Sequence, residues 1–171
     1  LIKGLTVKLY DLDDQKLADS KARITSMLDF FKEMDVISQA EYDDCMNRTK
    51  YTTDVKTAVE NAEFIQESGP ENVDIKRSII KNIEEYCKDD AVIGTSTSGL
   101  LVSDIARDAK HPERIVGGHP YNPVHLIPLV ELVKGDKTSD EALQKAVTFY
   151  REVGKEPVVL NKECPGFNCN R

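Results

Sequence analysis

The feature that most restricts what this chain can fold into is an alternation of periods: short runs of β-forming residues recur between stretches whose apolar residues return every three or four positions. Gly4 to Tyr10 reads as a first strand, closed by Asp11. Leu17, Ile24, Met27, Leu28, Phe31 and Met34 then fall at helical spacing, and Ser38 with Glu41 forms a capping box for a second helix. Further strands are expected at 51–53, 62–67, 91–95, 115–119, 129–133 and 158–160. Helices are expected at 55–61, from Glu71 onward with Val73, Ile75, Ile79, Ile80 and Ile83 on one face, near 103–109, and after Thr138, read with Glu141 as a cap. Gly69-Pro70 breaks the chain and Gly154 stops the last helix. Strands alternating with helices predict an α/β fold with a mostly parallel sheet and helices on both faces.

Composition removes several function classes. Hydrophobic residues at 40% and charged residues at 31% are ordinary for a folded chain, and 171 residues make one domain the default. The net charge of -7 mixes both signs along the chain, against a phosphate-backbone footprint and hence against a nucleic-acid partner. No apolar run approaches the roughly 20 residues that span a bilayer, and the N-terminus lacks the basic flank of a signal peptide, so no membrane partner and a cytoplasmic location are expected. Cys45, Cys87, Cys164 and Cys169 lack the paired spacing of a zinc ribbon and read as free thiols. His119 and His125 do not by spacing make a metal site, so no metal is expected.

Ligands of an open parallel sheet collect beyond the carboxyl ends of its strands. Asp11, Ser68, Thr95 to Ser98 and His119 occupy such ends, where each is either a turn-former or a ligand contact. An acid closing the second strand of a dinucleotide fold accepts from the adenosine ribose and repels a 2′-phosphate, which would make Asp11 a selector for NAD. The glycine fingerprint that should precede such an acid does not occur before it here.

Gly118-His119-Pro120-Tyr121-Asn122-Pro123, followed by Pro128-Leu129-Val130-Glu131-Leu132-Val133, resembles the His-x-x-Asn-Pro and Leu-Val-Glu motifs of the 3-hydroxyacyl-CoA dehydrogenase superfamily. Val7 to Asp11 is similar to that family's second strand, Gln66 to Asn72 to its fourth strand and loop, Ser96-Thr97-Ser98 to its serine turn, and Pro165-Gly166-Phe167 with Asn170-Arg171 to its closing motif. The resemblance implies a Rossmann-like NAD-binding domain truncated at the N-terminus, residues 1–160, with 161–171 starting the connection to a helical C-terminal domain that makes a homodimer. A chain lacking the glycine-rich turn is expected to have no dehydrogenase activity alone, and the family's first strand, normally central, would leave its neighbours unpaired.

The same resemblance implies roles. His119 is the catalytic base, Glu131 its partner, and Ser98, Asn122 and Asn170 contact the substrate or nicotinamide. Glu71, Lys76, Ser68 and Ser98 lie along the NAD path, beside Asp11 at the adenosine end. Asn168 stands where the family usually has an apolar residue. Gly94 to Gly99 and His119 to Pro123 look closer to the carnitine and gulonate dehydrogenases and lambda-crystallins than to enzymes with His-Phe-Phe-Asn-Pro. The expected substrate is a 3-hydroxyacyl-CoA or a small 3-hydroxy acid. The alternatives are an inactive structural or binding member of the family, or an inactive truncated fragment.

Overall fold

The computed structural model describes residues 1–166. Where the sequence reads as a single domain, the chain divides into two compact units, Leu1–Ala58 and Val59–Arg171, because its strands form two separate sheets.

In the first unit, β1 (Val7–Tyr10) pairs in parallel with β2 (Thr49–Thr52), in register from Val7 opposite Thr49 to Tyr10 opposite Thr52. Parallel pairing needs a long crossover, supplied by α1 (Asp14–Glu33) and α2 (Gln39–Arg48). The Ser38 and Glu41 capping box forms as read: the Ser38 N–H donates to Glu41 Oε2 at 2.8 Å, and the Glu41 N–H to Ser38 Oγ at 3.3 Å. Between the helices Asp35 takes φ 55°, the left-handed conformation that ends a helix. Leu28, Ile37 and Cys45 are buried together, with Ile24, Phe31 and Tyr42 against them. A short helix, α3 (Val55–Val59), spans the boundary in sequence.

The second unit is built on a five-stranded sheet in the order β3 (Phe64–Glu67), β4 (Val92–Thr95), β5 (Ile115–Pro120), β6 (Leu129–Lys134), β7 (Glu156–Leu160). The pairs are parallel except β5 with β6, which is antiparallel. The crossovers α4 (Val73–Glu84), α5 (Val102–Ile105) with a 3-10 turn at Pro112–Arg114, and α6 (Asp140–Glu152) serve the parallel neighbours. The connection 121–128 holds no helix and can only return the chain antiparallel. β4 is buried along its whole length, as a strand covered on both faces must be.

Ala142, Leu143, Ala146, Val147 and Tyr150 put one face of α6 onto Val92, Val116, Val130 and Leu132. The cap of that helix is Ser139, whose Oγ accepts from the Ala142 N–H at 3.1 Å, one residue later than read. Thr138 instead donates to the Ile115 carbonyl at 2.6 Å and ties the loop to β5. α4 also departs from its reading. Ile75 is 43% exposed, whereas Lys76 is fully buried on the stripe that includes Ile80 and Ile83.

Close packing makes Gly117 irreplaceable by size alone. A Cβ there would lie 2.5 Å from Val133 Cγ1 and 2.7 Å from Val102 Cγ2. Gly117→Ala is therefore expected to destabilise by about 1–3 kcal/mol through overpacking. An unchanged urea midpoint would show that β5 and α5 can separate at no cost.

Candidate active site

His119 and Glu131 are direct cross-strand partners in the β5–β6 pair. Opposite residues of an antiparallel pair send their side chains to the same face, so the spacing in sequence becomes adjacency in space. His119 Nδ1 lies 3.6 Å from Glu131 Oε2, inside ion-pair range, and the residues are 9% and 1% exposed. So little water strengthens any charge interaction between them. On the other ring nitrogen, Nε2 is hydrogen-bonded to Ser98 Oγ at 3.2 Å.

Ser98 follows β4 in a turn that Glu71 organises. Oε1 of Glu71 accepts from the Thr97 hydroxyl at 2.7 Å and from the N–H groups of Ser98 and Gly99, each at 2.8 Å. Burial pushes the Glu71 carboxyl up, but these hydrogen bonds, with the charge of Lys76, outweigh it and hold the carboxyl below the usual range. A depressed carboxyl contributes stability above the unfolded value and loses it as pH falls through the folded one, so the turn is held at neutral pH and weakens in acid. Glu71, Ser98, Gly99, His119, Pro120, Tyr121, Asn122 and Gly166 line one open cleft.

Beneath that turn is a buried ion pair. Lys76 Nζ donates to Glu67 Oε2 at 2.9 Å, to Glu67 Oε1 at 3.1 Å, to the Ser96 carbonyl at 2.8 Å and to the Gly69 carbonyl at 3.2 Å, with both charged side chains 0% exposed. Thr95 donates to Glu67 Oε2 at 2.6 Å. Lys76, expected along the NAD path, is enclosed by the protein here. Its ammonium is taken up under the loops that carry Ser68 and Ser98, and it supports them from behind.

The other sequence-selected residues are placed as follows. Ser98, His119 and Glu131 are brought together, and Asn122 and Glu71 line the same cleft. Ser68 is exposed directly after β3. In the first unit Asp11 directly follows β1, its side chain 38% exposed and 3.9 Å from Lys16 Nζ. Asn170 lies outside the described residues. Sequence reasoning missed Tyr121, whose hydroxyl donates to Glu131 Oε2 at 2.7 Å. Period-two alternation from His119 would have put it on the face of Glu131.

Among the described residues no group of three or more His, Cys, Asp or Glu could hold a metal ion, and no helix is long and apolar enough to cross a membrane.

The comparisons with known proteins bear on the family and the fold. The chain matches the family profile described as "3-hydroxyacyl-CoA dehydrogenase, NAD binding domain" over residues 1–164. It is 48% identical over 125 residues to an L-carnitine dehydrogenase of Pseudomonas putida, covering 73% of this chain and 39% of that protein. To an L-carnitine dehydrogenase of Pseudomonas aeruginosa it is 37% identical over all 171 residues, 52% of that protein. Among solved structures, (S)-3-hydroxybutyryl-CoA dehydrogenase PaaH1 from Ralstonia eutropha superposes with a TM-score of 0.94 at 28% identity, covering 99% of this chain and 59% of that one. The chain thus spans about half or less of the length of these curated relatives.

Proposed function

The chain belongs to the 3-hydroxyacyl-CoA dehydrogenase family, as its NAD-binding domain, and on that premise we propose that its parent protein oxidises a secondary 3-hydroxyl to a ketone with His119 as general base. The observation that carries this reading is the placement of His119 between Glu131 and Ser98. A carboxylate beside Nδ1 favours the tautomer with the proton there, leaving the Nε2 lone pair toward the cleft. A substrate hydroxyl near Ser98 Oγ then gives its proton to Nε2, and Glu131 stabilises the imidazolium that forms.

NAD, when bound, would supply the acceptor for the hydride that leaves the carbon bearing that hydroxyl. Each of the two units, taken by itself, offers groups of the kind that cofactor uses. Asp11 offers a half-exposed carboxylate at the carboxyl end of a parallel strand, as ribose hydroxyls require, and Ser68 and the Ser98 turn stand at the carboxyl ends of β3 and β4. Asn122, on the cleft, and Asn170 complete the proposed substrate contacts. The names of the relatives favour a small 3-hydroxy acid over an acyl-CoA. We take 1–160 as the part of the NAD-binding domain present, 161–171 as the start of a connection to a helical domain, and the parent as a cytoplasmic homodimer.

The test is to follow NADH formation by the full-length protein with carnitine, gulonate and a 3-hydroxyacyl-CoA. NAD reduction with one of the three is expected. If none reduces NAD while the protein is folded, the reading is lost. Cofactor choice gives a second check: Asp11→Ala is expected to narrow the preference for NAD over NADP by about tenfold, about 1.4 kcal/mol, by removing the repulsion of the 2′-phosphate. An unchanged ratio would remove Asp11 from the cofactor site.

A further inference from the structure

We propose that Tyr121 is a positioning residue for proton transfer: its hydroxyl, donating to Glu131 Oε2 at 2.7 Å, and its ring, edge-on to His119 with centroids 4.8 Å apart at 63°, hold the carboxylate and the imidazole as one unit. The inference rests on His119 being the base. Tyr121 N–H donates to the Leu129 carbonyl at 3.3 Å, so the residue continues the β5–β6 ladder for one position beyond β5. Alternation then puts His119, Tyr121 and Glu131 on one face, and Glu131 Oε2 stands within reach of both neighbours.

A hydroxyl donor and an imidazole within ion-pair range share the charge of one carboxylate oxygen. A hydroxyl hydrogen bond stabilises the ionised form of a carboxylate, and it lessens what that carboxylate offers to an imidazolium. Taking that hydroxyl away returns the full charge of Glu131 Oε2 to the imidazole side of the pair. Ionisable groups near His119 include Glu131 from β6, Tyr121 from the connection after β5, and Glu71, which lines the same cleft. Glu71 is occupied by the 97–99 turn and is unchanged by a substitution at 121.

The experiment is the pH profile of alcohol oxidation by the full-length enzyme. Tyr121→Phe keeps the ring and removes the donor, and its acidic limb is expected to move upward by about one pH unit. Glu131→Gln moves the same limb downward, so the two variants have opposite signs. In the Glu131→Gln background Tyr121→Phe is expected to add almost nothing, because the group through which it acts has lost its charge. A limb unmoved by Tyr121→Phe, or moved equally in both backgrounds, overturns the inference.

Should Tyr121→Phe not fold by circular dichroism, site-specific 3-fluorotyrosine, a stronger donor of nearly the same shape, is expected to move the limb downward, and no movement there overturns the inference equally. The two readings fail separately. Near-normal turnover in His119→Ala would sink the base itself, whereas lost turnover in His119→Ala beside an unmoved limb in Tyr121→Phe sinks the role of Tyr121 alone.

Discussion

Turnover of the full-length protein is expected to fall by about a hundredfold or more when His119 becomes alanine, with affinity for NAD largely kept. The proposed oxidation removes a proton from a hydroxyl as hydride leaves its carbon, and an imidazole is the kind of group suited to take that proton near neutral pH. His119 is held from two sides, by Glu131 across the strand pair and by Ser98 at Nε2, so alanine removes a positioned base and leaves its frame standing. The loss should appear in kcat and in kcat/KM together, as for an interaction made in the transition state. Glu131→Gln should lower turnover less and move the acidic limb of the profile downward, because the imidazolium loses its counter-charge. Near-normal kcat in His119→Ala would mean that another group accepts the proton.

Lys76→Met is expected to cost about 3–5 kcal/mol of stability, because it leaves the Glu67 carboxylate buried without its cation. Both side chains are wholly enclosed, so water cannot replace the ammonium. For a domain stabilised by about 5–15 kcal/mol this is a large fraction, and thermal unfolding should begin about 10 °C lower. Changing both partners, Lys76→Met with Glu67→Leu, should recover much of the loss, since an apolar pair of similar volume carries no desolvation penalty. Activity should recover less, because the carbonyls of Gly69 and Ser96 lose the ammonium that anchors them. An unchanged midpoint for Lys76→Met would show that the pair is neutralised or wetted.

The alternation of periods was enough to read the α/β class and the strand and helix order, because both periods come from local backbone geometry. That His119, Glu131 and Ser98 belong near one another was legible through motif and spacing, and antiparallel pairing explains why a fixed spacing brings the first two together. The burial of Lys76 was not read, because a charge is ordinarily assigned to solvent. Its burial follows from Glu67, a partner nine residues earlier on another element. Its place on the stripe of Ile80 and Ile83 was nevertheless a signal. The cap at Ser139 differs from Thr138 by one residue, since Thr138 serves a strand carbonyl that no local rule reveals. Tyr121 lay inside the recognised motif, but its contact depends on register, which composition does not carry.

The antiparallel β5–β6 pair also bears on how the site is assembled in time. Its contact between Tyr121 and Glu131 joins residues ten apart, whereas the parallel sheet brings Glu67 to Thr95 across 28 residues and a helix. Closing a short segment costs less chain entropy, and hairpins form in about 1–10 μs. The pairing of Tyr121 with Glu131 is thus a local product of the chain, able to nucleate before the crossover that delivers the Ser98 turn is in place.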